Sequence, residues 1–464
     1  MEVDKSNFSE WYNTVLYEAD IIDIRYPVKG MPVYRPWGFS IMRRCFEILE
    51  NVLDETGHEQ MLFPLLIPED IFGKEGEHIK GFEDQVLWAT HAGLSRLERK
   101  LAVRPTSETV MYPMFSLWIR SHADLPLKVH QTVCVYRNET KATKPLIRGR
   151  EVYWNEAHTA HASKEDAEKQ IREAYRIYKE FYEKLGIATL ALKRPEHDKF
   201  AGADYSIALE ALMPDGRVLQ VGTIHNLGQN FSKVYEVCFA DEKGDKQYAY
   251  QTSYGISMRC LAAIVSIHGD SRGLILPPDV APIQAIIVPI LYRQGAGVID
   301  RCREVAAKLS KCGIRCYVDE SDARPGDKFY KWECKGVPIR LEIGPKEVES
   351  NTVVIALRTG GKKTILMEDL CQSILAAFNE VREKLFENSK KSLEEAIKNV
   401  ERIEELGENG FFRAGWCGST ECADELKNEK TIDVRGIEYG KETRKRKCIV
   451  CGADGFEVFL AKGY

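Results

Sequence analysis

The stretch QTVCVYRNETKATKPLIRGREVYWNEAHTAH, residues 131–161, guides the interpretation of the whole chain. Two short runs within it, Thr132–Tyr136 and Glu151–Trp154, are rich in β-branched and aromatic residues, which favours strands. The pattern predicts an antiparallel pair joined by a long charged loop. Arginine forks on such a loop match phosphate oxygens two bonds at a time, although a solvated hairpin tip has the same pattern. The charged residues of the loop are Arg137, Glu139, Lys141, Lys144, Arg148 and Arg150.

The second strand favours a binding site over a solvated tip. A period of two places Trp154, Glu156 and His158 on one face of the strand. An aromatic ring, a carboxylate and an imidazole make a poor core, because unpaired charge is costly to bury. This face is therefore predicted to form the floor of a binding site.

Size and composition limit the class of protein. A chain of 464 residues with 44% hydrophobic and 29% charged residues predicts a globular protein of two or three domains. No run approaches the roughly 20 apolar residues of a membrane helix, and the acidic, polar N-terminus is unlike a secretory signal. A cytoplasmic location and no membrane partner are expected. The net charge of −5 does not exclude nucleic-acid binding, because a local basic face suffices.

The first 276 residues are predicted to mix helices and strands. Apolar spacing predicts helices over Phe8–Ile22, Phe39–Thr56 and Ser163–Leu185, and a buried helix over Met258–His268. Met61–Ile67 is interpreted as a buried strand interrupted by Pro64, which suits a sheet edge. For two polar residues, the sequence allows either a structural or a binding role. Thr106 can cap a helix over Thr109–Trp118, and His225 can be a buried structural histidine.

The second half begins with a proline-rich linker at 276–282. Strands and helices then alternate from Ala285 to Leu385, which predicts a small α/β domain. A Lys/Glu-rich helix over Asn388–Leu406 is expected to lead into the last segment.

Four cysteines near the C-terminus form two pairs. The pairs are Cys417–Cys422 and Cys448–Cys451. Two thiolate pairs on tight turns can close a tetrahedron around a structural Zn²⁺, and we favour this over scattered free thiols. The other nine cysteines, including Cys312 and Cys316, are interpreted as small buried hydrophobic residues and not as a disulfide framework.

The segments at 136–139 and 148–151, YRNE and RGRE, resemble motif 2 of the class II aminoacyl-tRNA synthetases. Nearly the whole chain resembles the archaeal and eukaryotic type of prolyl-tRNA synthetase. The resemblance implies an α+β multidomain protein in three parts. These are an antiparallel-sheet catalytic domain over 1–276 containing motifs 1, 2 and 3, an α/β anticodon-binding domain over 283–387, and a small zinc-binding domain over 388–464.

The resemblance also implies the site. Arg137 would contact the α-phosphate and the proline carboxylate, Glu139 the adenine amino group, and Arg148 and Arg259 the outer phosphates together with Mg²⁺. The implied ATP-binding residues are Arg137, Glu139, Arg148, Gln220, Thr223, Ser257 and Arg259, of which Arg137 and Arg259 are the implied catalytic residues. The implied proline-binding residues are Thr106, Glu108, Arg137, Trp154, Glu156, His158, His225 and Ser253. Motif 3 departs from the general pattern, because only Gly255 remains of its glycines.

The implied reaction is ATP-dependent activation of L-proline and its transfer to tRNA(Pro) by a homodimer whose interface includes motif 1. Glu333 and Arg340 are candidates for reading anticodon bases, and the terminal Tyr464 would lie near the active site. A pocket for a small ring discriminates weakly, so activation of alanine or cysteine is expected. The interval 162–250 leaves little room for an editing insertion.

Two alternatives remain. A synthetase of another specificity, such as threonine, is disfavoured because no further set of metal ligands is evident around the pocket. A non-catalytic synthetase-like binding protein is disfavoured because Arg137, Arg148 and Arg259 are all present.

Overall fold

A hairpin built from residues 131–161 lies in the main sheet. The computed structural model describes residues 4–74, 84–139, 142–291 and 297–464, so Lys141 lies outside the described residues. The strands Leu127–Tyr136 and Glu151–His161 pair antiparallel, from Leu127 opposite Ala160 to Tyr136 opposite Glu151. The predicted strand pair is confirmed, and both strands are longer than the sequence indicated.

The main sheet extends well beyond this hairpin. Among the described residues it has twelve strands, and neighbours pair antiparallel except for one parallel pair near each edge. In spatial order the strands are Ile397–Asn399, Phe411–Trp416, Asp454–Ala461, Asp433–Glu438, Leu190–Lys193, Tyr205–Leu212, Val218–Gly228, Tyr250–Ser257, Glu151–His161, Leu127–Tyr136 and Glu59–Gln60, with Lys445–Lys447 beside Asp454–Ala461.

Amphipathic helices cover the part of this sheet that contains the hairpin. The helices Phe8–Glu18, Pro36–Glu55, Lys164–Lys184 and Arg259–His268 bury their apolar stripes in one large core. Ser163 caps the third helix by accepting a hydrogen bond from the Asp166 amide at 3.2 Å. The four predicted helices are confirmed, with ends that differ by up to four residues.

The segment after the second helix corrects the sequence interpretation. Met61–Ile67 is not a buried strand, because the chain forms only the short strands Glu59–Gln60 and Leu66–Pro68 here, and Leu62 is 81% exposed. Pro64 has no N–H for a ladder. The carbonyls of Phe63 and Pro64 instead accept hydrogen bonds from the Arg104 guanidinium, at 2.9 and 3.2 Å.

The predicted α/β domain is confirmed. Its described sheet has the order Cys316–Val318, Ala285–Pro289, Ile339–Ile343, Thr352–Leu357 and Lys362–Leu366, flanked by helices Val298–Lys311, Pro325–Cys334 and Leu370–Glu395. The prediction of a helix over Asn388–Leu406 is wrong. The preceding helix continues to Glu395, across the expected boundary at 387, and the chain then enters the strand Ile397–Asn399.

The prediction for Cys312 is also wrong. Cys312 and Cys371 form a disulfide, although 59 positions separate them in the chain. The end of the helix Val298–Lys311 and the start of the helix Leu370–Glu395 bring them together, and no local pattern signals this meeting. Cys316 is a free, half-buried thiol.

The other described elements are short or peripheral. In the described part of the chain, no helix has the length and apolar character needed to cross a bilayer. The remaining strands and α-helices are Ile22–Asp23, Val33–Tyr34, Glu69–Phe72, Leu87–Ala92, Ser95–Val103, Glu108–Trp118, Asn230–Tyr235, Cys238–Ala240, Lys246–Tyr248, Pro345–Glu349 and Thr420–Lys430, and short 3-10 helices lie at His122–Asp124, Glu196–Asp198 and Ile403–Glu405.

Candidate active site

One cavity of about 430 Å³ lies over the face of the main sheet that carries Trp154, Glu156 and His158. All of the residues predicted to bind nucleotide or proline line it, although they come from distant parts of the chain. They are Thr106, Glu108, Arg137, Glu139, Arg148, Trp154, Glu156, His158, Gln220, Thr223, His225, Ser253, Ser257 and Arg259.

The pairing of three adjacent strands explains this convergence. Ser253 lies opposite both His158 and His225, and Gly255 lies opposite both Glu156 and Thr223. Residues directly opposite each other in an antiparallel pair project from the same face of the sheet. The period-two argument for one face is therefore confirmed.

Three guanidinium groups meet at one side of the cavity. Arg137 donates from Nε to the Pro105 carbonyl at 3.0 Å. Arg259 donates from Nε to the Ile147 carbonyl at 2.9 Å and from Nη1 to the Gln220 carbonyl at 3.0 Å. These bonds to backbone oxygens orient the guanidinium groups of Arg137 and Arg259.

The electrostatics of this side favour an anion. Burial, together with repulsion from Arg137 and Arg148, lowers the pKa of Arg259 to about 10. Glu139 partly compensates the positive charge, because one of its carboxylate oxygens lies 3.9 Å from Arg148 Nε. A ligand rich in anionic oxygen would relieve the repulsion, and phosphate groups fit this description.

Another part of the cavity, which includes Glu108 and Glu156, is acidic and densely hydrogen-bonded. Thr106 donates from Oγ1 to Oε2 of Glu108 at 2.5 Å. Thr106 is therefore not the helix cap, since the helix begins at Glu108 and no side chain caps its N-terminus. Ser107, the residue before the helix, instead donates to Glu156.

Glu156 and His158 form a buried ion pair, with 3.1 Å between Oε2 and Nε2. Burial opposes the charge on both groups, but their mutual hydrogen bond and attraction lower the pKa of Glu156 and raise that of His158. Tyr112 lies 2.9 Å from Nδ1 of His158, and Gln131 donates to Glu156 at 2.8 Å. The result is a rigid polar floor under the cavity.

His225 contributes a neutral ring. Burial, helped by the positive charge of His158, lowers the pKa of His225 to about 3. The ring stacks on Phe200 with a centroid distance of 4.6 Å, and Nδ1 lies 2.7 Å from the Ser206 hydroxyl. This gives a flat, largely apolar wall suited to a small ring.

The C-terminus reaches the side of the cavity that Arg148 lines. Arg148 donates from Nη2 to a terminal oxygen of Tyr464 at 3.1 Å. The phenol of Tyr464 donates to Asp215 at 2.6 Å, and the Arg217 guanidinium lies 4.1 Å from its ring centroid. Tyr464 thus lies beside one of the predicted nucleotide-binding residues.

Sequence comparisons identify the family. Residues 89–268 match the tRNA synthetase class II core domain (G, H, P, S and T), residues 284–377 match the anticodon binding domain, and residues 400–464 match the prolyl-tRNA synthetase C-terminal domain. The chain is 49% identical to the proline--tRNA ligase of Methanothrix thermoacetophila, over 99% of this chain and 97% of the relative. The chain belongs to the proline--tRNA ligase family. The corresponding ligase of Thermococcus kodakarensis is also 49% identical, over 98% of this chain and 97% of the relative.

A solved structure supports the same assignment. The prolyl-tRNA synthetase of Giardia lamblia in complex with prolyl-adenylate matches with a TM-score of 0.96 and 35% identity, covering 100% of this chain and 99% of that one. The three-part architecture of a class II core, an anticodon-binding domain and a C-terminal domain is therefore confirmed.

Several other residues that line the cavity are not predicted from the sequence. Gln85, Arg194, Asp198, Lys199, Phe200 and Ser206 also line the cavity. The turn KRPEHDKF at 193–200 holds four of them, and its density of charge is the only signal the sequence offers. Without the sheet order, nothing indicates that this turn lies over the cavity.

The four C-terminal cysteines come together as predicted. Their sulfur atoms all lie within 4.8 Å of one another, with Cys417 3.7 Å from Cys422 and 3.8 Å from Cys451. A tetrahedral Zn²⁺ with Zn–S bonds of about 2.3 Å places its sulfur ligands roughly 3.8 Å apart. The donor set therefore fits zinc.

The candidate anticodon-reading residues lie beside each other. Arg340 Nη1 is 2.6 Å from a carboxylate oxygen of Glu333. The Arg340 guanidinium also lies 3.8 Å from the ring centroid of Phe329 and 3.1 Å from Glu342. Their role in reading tRNA bases stays a prediction.

Proposed function

We propose that this protein activates L-proline with ATP and transfers it to tRNA(Pro). One observation carries the proposal: three guanidinium groups and the carboxylates of Glu108 and Glu156 line one cavity. The phosphates of ATP and the carboxylate of the amino acid need cations, the ammonium group of the amino acid needs a carboxylate, and this cavity supplies both.

The chemistry needs positioning and charge stabilisation but no covalent nucleophile on the protein. A carboxylate oxygen of proline attacks the α-phosphorus of ATP, and the bond to pyrophosphate breaks. A terminal ribose hydroxyl of the tRNA then attacks the carbonyl carbon, and AMP leaves. Both steps develop negative charge that fixed cations stabilise.

On the nucleotide side, we assign Arg137 to the α-phosphate and to the incoming carboxylate of proline. Arg148 and Arg259 hold the outer phosphates, and Glu139 accepts from the adenine amino group. Magnesium bound with ATP would supply further neutralisation of phosphate charge. Gln220, Thr223 and Ser257 complete this side.

On the amino-acid side, Glu108 with Thr106 accepts hydrogen bonds from the secondary ammonium group of proline. A carboxylate is the strongest acceptor for a charged amine. The pyrrolidine ring then lies against Trp154 and the neutral ring of His225. Glu156, His158 and Ser253 support this pocket from the sheet.

Amino-acid-dependent exchange of pyrophosphate into ATP, measured with each of the twenty amino acids, tests the function. Proline should give the highest kcat/KM in this exchange. The protein should then also charge tRNA(Pro) with proline. The highest kcat/KM for threonine would instead support a threonine-specific synthetase. No exchange with any amino acid, in a protein that still binds ATP, would support a non-catalytic binding protein.

We further propose that alanine or cysteine is activated at a lower rate and is not removed by hydrolysis. A pocket discriminates by only about 1–3 kcal/mol per methylene. The described chain between 162 and 250 is occupied by the helix Lys164–Lys184, strands of two sheets and short helical segments. Exchange assays with both amino acids, and decay of alanyl-tRNA(Pro) with added protein, test the proposal. Absence of exchange with both, or rapid decay, would contradict it.

We propose a homodimer through the segment that follows the helix Pro36–Glu55. An apolar groove of about 530 Å³ includes Met61, Leu62, Phe63, Met114 and Trp118. Leu62 is 81% exposed, which suits burial against a second copy. Light scattering should give twice the chain mass for the natural protein and one chain mass for Leu62→Asp. Equal masses for the two would contradict this interface.

We also propose a structural Zn²⁺ on Cys417, Cys422, Cys448 and Cys451. The domain division 1–276, 283–387 and 388–464 and a cytoplasmic location are part of the same proposal. The match of separate families to 89–268, 284–377 and 400–464 supports the division.

A further inference from the structure

A buried cluster of charges lies between the cavity and the C-terminal region. Glu210 in the strand Tyr205–Leu212 is fully buried, and its Oε1 accepts from both Arg194 and Arg435. The Arg194 side chain is 4% exposed and its Nη2 lies 2.6 Å from Oε1. One carboxylate oxygen therefore ties a residue of the catalytic part to a residue of the C-terminal part.

Arg194 extends this cluster to the nucleotide side of the cavity. Its Nη2 also donates to Oε1 of Gln220 at 2.5 Å. A guanidinium has donors only, so it fixes the orientation of the amide, with the oxygen toward Arg194. The amide nitrogen of Gln220 is then the end available as a donor to the oxygens of a nucleotide.

The main sheet holds Arg435 in place. The strand Asp433–Glu438 pairs with Leu190–Lys193 through Ile437 and Glu438. Gly436 has φ +117°, and a Cβ atom there would lie 2.0 Å from the Lys193 carbonyl oxygen, so a glycine is required for this close approach. The carbonyl of Arg435 also accepts from Arg194 Nη1 at 3.4 Å.

Burial opposes the charge on Glu210, but attraction from Arg435 and Arg194 outweighs burial and lowers the pKa of Glu210. A buried carboxylate that loses one of two cationic partners draws more strongly on the other. Loss of Arg435 would therefore pull Arg194 toward Glu210 and weaken its bond to Gln220. Nearby charges are Asp198, 3.3 Å from Arg194, Asp433, 3.9 Å from Arg435, and the Arg259 guanidinium, whose charge acts on both Glu210 and Arg435.

We propose that Arg435 is a positioning residue of the C-terminal region which, through Glu210 and Arg194, holds Gln220 as a hydrogen-bond donor for ATP. This inference rests on the proposed assignment of Gln220 to the nucleotide. It makes the C-terminal region part of the ATP site without any contact between Arg435 and the ligand.

Calorimetric titration of the full-length protein with a non-hydrolysable ATP analogue tests the inference. Arg435→Met should weaken binding at least fivefold, and Arg435→Lys should recover part of the loss. The proline KM in pyrophosphate exchange should change less than twofold. Arg413→Met, a control on the C-terminal strand Phe411–Trp416, which Asp454–Ala461 separates from the strand of Arg435, should bind the analogue like the natural protein.

A double-mutant cycle separates positioning from general destabilisation. In a Gln220→Ala background, Arg435→Met should weaken binding by less than twofold, because the residue on which it acts has been removed. The full fivefold loss in that background would overturn the inference, as would unchanged binding by Arg435→Met alone. If the methionine variant does not fold, Arg435→Lys in both backgrounds provides the same comparison.

The two failures are distinguishable. Absence of proline-dependent exchange in the natural protein refutes the proposed function, whereas the cycle depends on analogue binding alone. Absence of analogue binding by the natural protein would overturn both.

Discussion

Replacing Arg259 by methionine is expected to lower kcat/KM for ATP by about 100-fold or more in proline-dependent pyrophosphate exchange. Methionine keeps much of the side-chain volume but removes the charge and all hydrogen-bond donors. Arg259 is chosen because its Nε and Nη1 are fixed by backbone carbonyls, so its position does not depend on the ligand.

Two estimates of the magnitude agree. Burial and repulsion from Arg137 and Arg148 lower the pKa of Arg259 from its usual range to about 10. Each pKa unit corresponds to about 1.4 kcal/mol, so holding the charge there costs about 3 kcal/mol, which an anionic ligand can return. Removing one preorganised donor from a developing charge typically costs about 3–4 kcal/mol. A loss of 3 kcal/mol corresponds to a factor of about 150.

The assay compares Arg259→Met with Arg382→Met at saturating proline and varied ATP. Arg382 pairs with Asp279 at 2.6 Å and does not line the cavity. The control should stay within about twofold of the natural protein. A folded Arg259→Met protein with less than a threefold loss would refute the phosphate-binding role of this arginine.

Three further predictions concern other parts of the molecule. Arg137→Ala should leave a folded protein whose exchange activity is lower by a factor of at least about 100, and near-normal exchange would remove this arginine from the mechanism. Cys448→Ser should reduce bound zinc, measured by atomic absorption, and lower the melting temperature, since binding to the native state stabilises it; unchanged zinc content would contradict the site. Stability to urea should fall as the pH drops from 7 to 5, by up to about 1.4 kcal/mol per pH unit for each buried neutral histidine, and a flat profile would contradict their burial. Burial lowers the pKa to about 4 at His58, His161 and His268, and to about 3 at His225.

The sign of the last prediction follows from proton uptake. Below pH 6.5 the unfolded chain binds protons at these histidines while the folded protein does not, so acid favours unfolding. His158 acts in the opposite direction, because its pKa is raised in the folded state and its contribution to stability is present below its unfolded pKa and is lost as the pH rises through its folded pKa.

The sequence was informative where a local period or motif carries the geometry. Alternation along Glu151–His161 placed Trp154, Glu156 and His158 on one face, and that face is the cavity floor. The cysteine spacing likewise predicted the cluster of four sulfur atoms.

Features that depend on long-range pairing could not be predicted. The strand Asp433–Glu438 joins the catalytic sheet beside Leu190–Lys193, and only that pairing brings Arg435 to Glu210. The disulfide between Cys312 and Cys371 depends on two helix ends meeting. The apolar residues at 61–67 suggest a buried strand, whereas Leu62 is exposed.

The most direct measurement of the central claim is a crystal structure of this protein with a non-hydrolysable ATP analogue and proline. We predict guanidinium nitrogens of Arg137, Arg148 and Arg259 within about 3 Å of phosphate oxygens, and the proline nitrogen at Glu108. A triphosphate bound elsewhere, with these three arginines contacting only protein, would contradict the account.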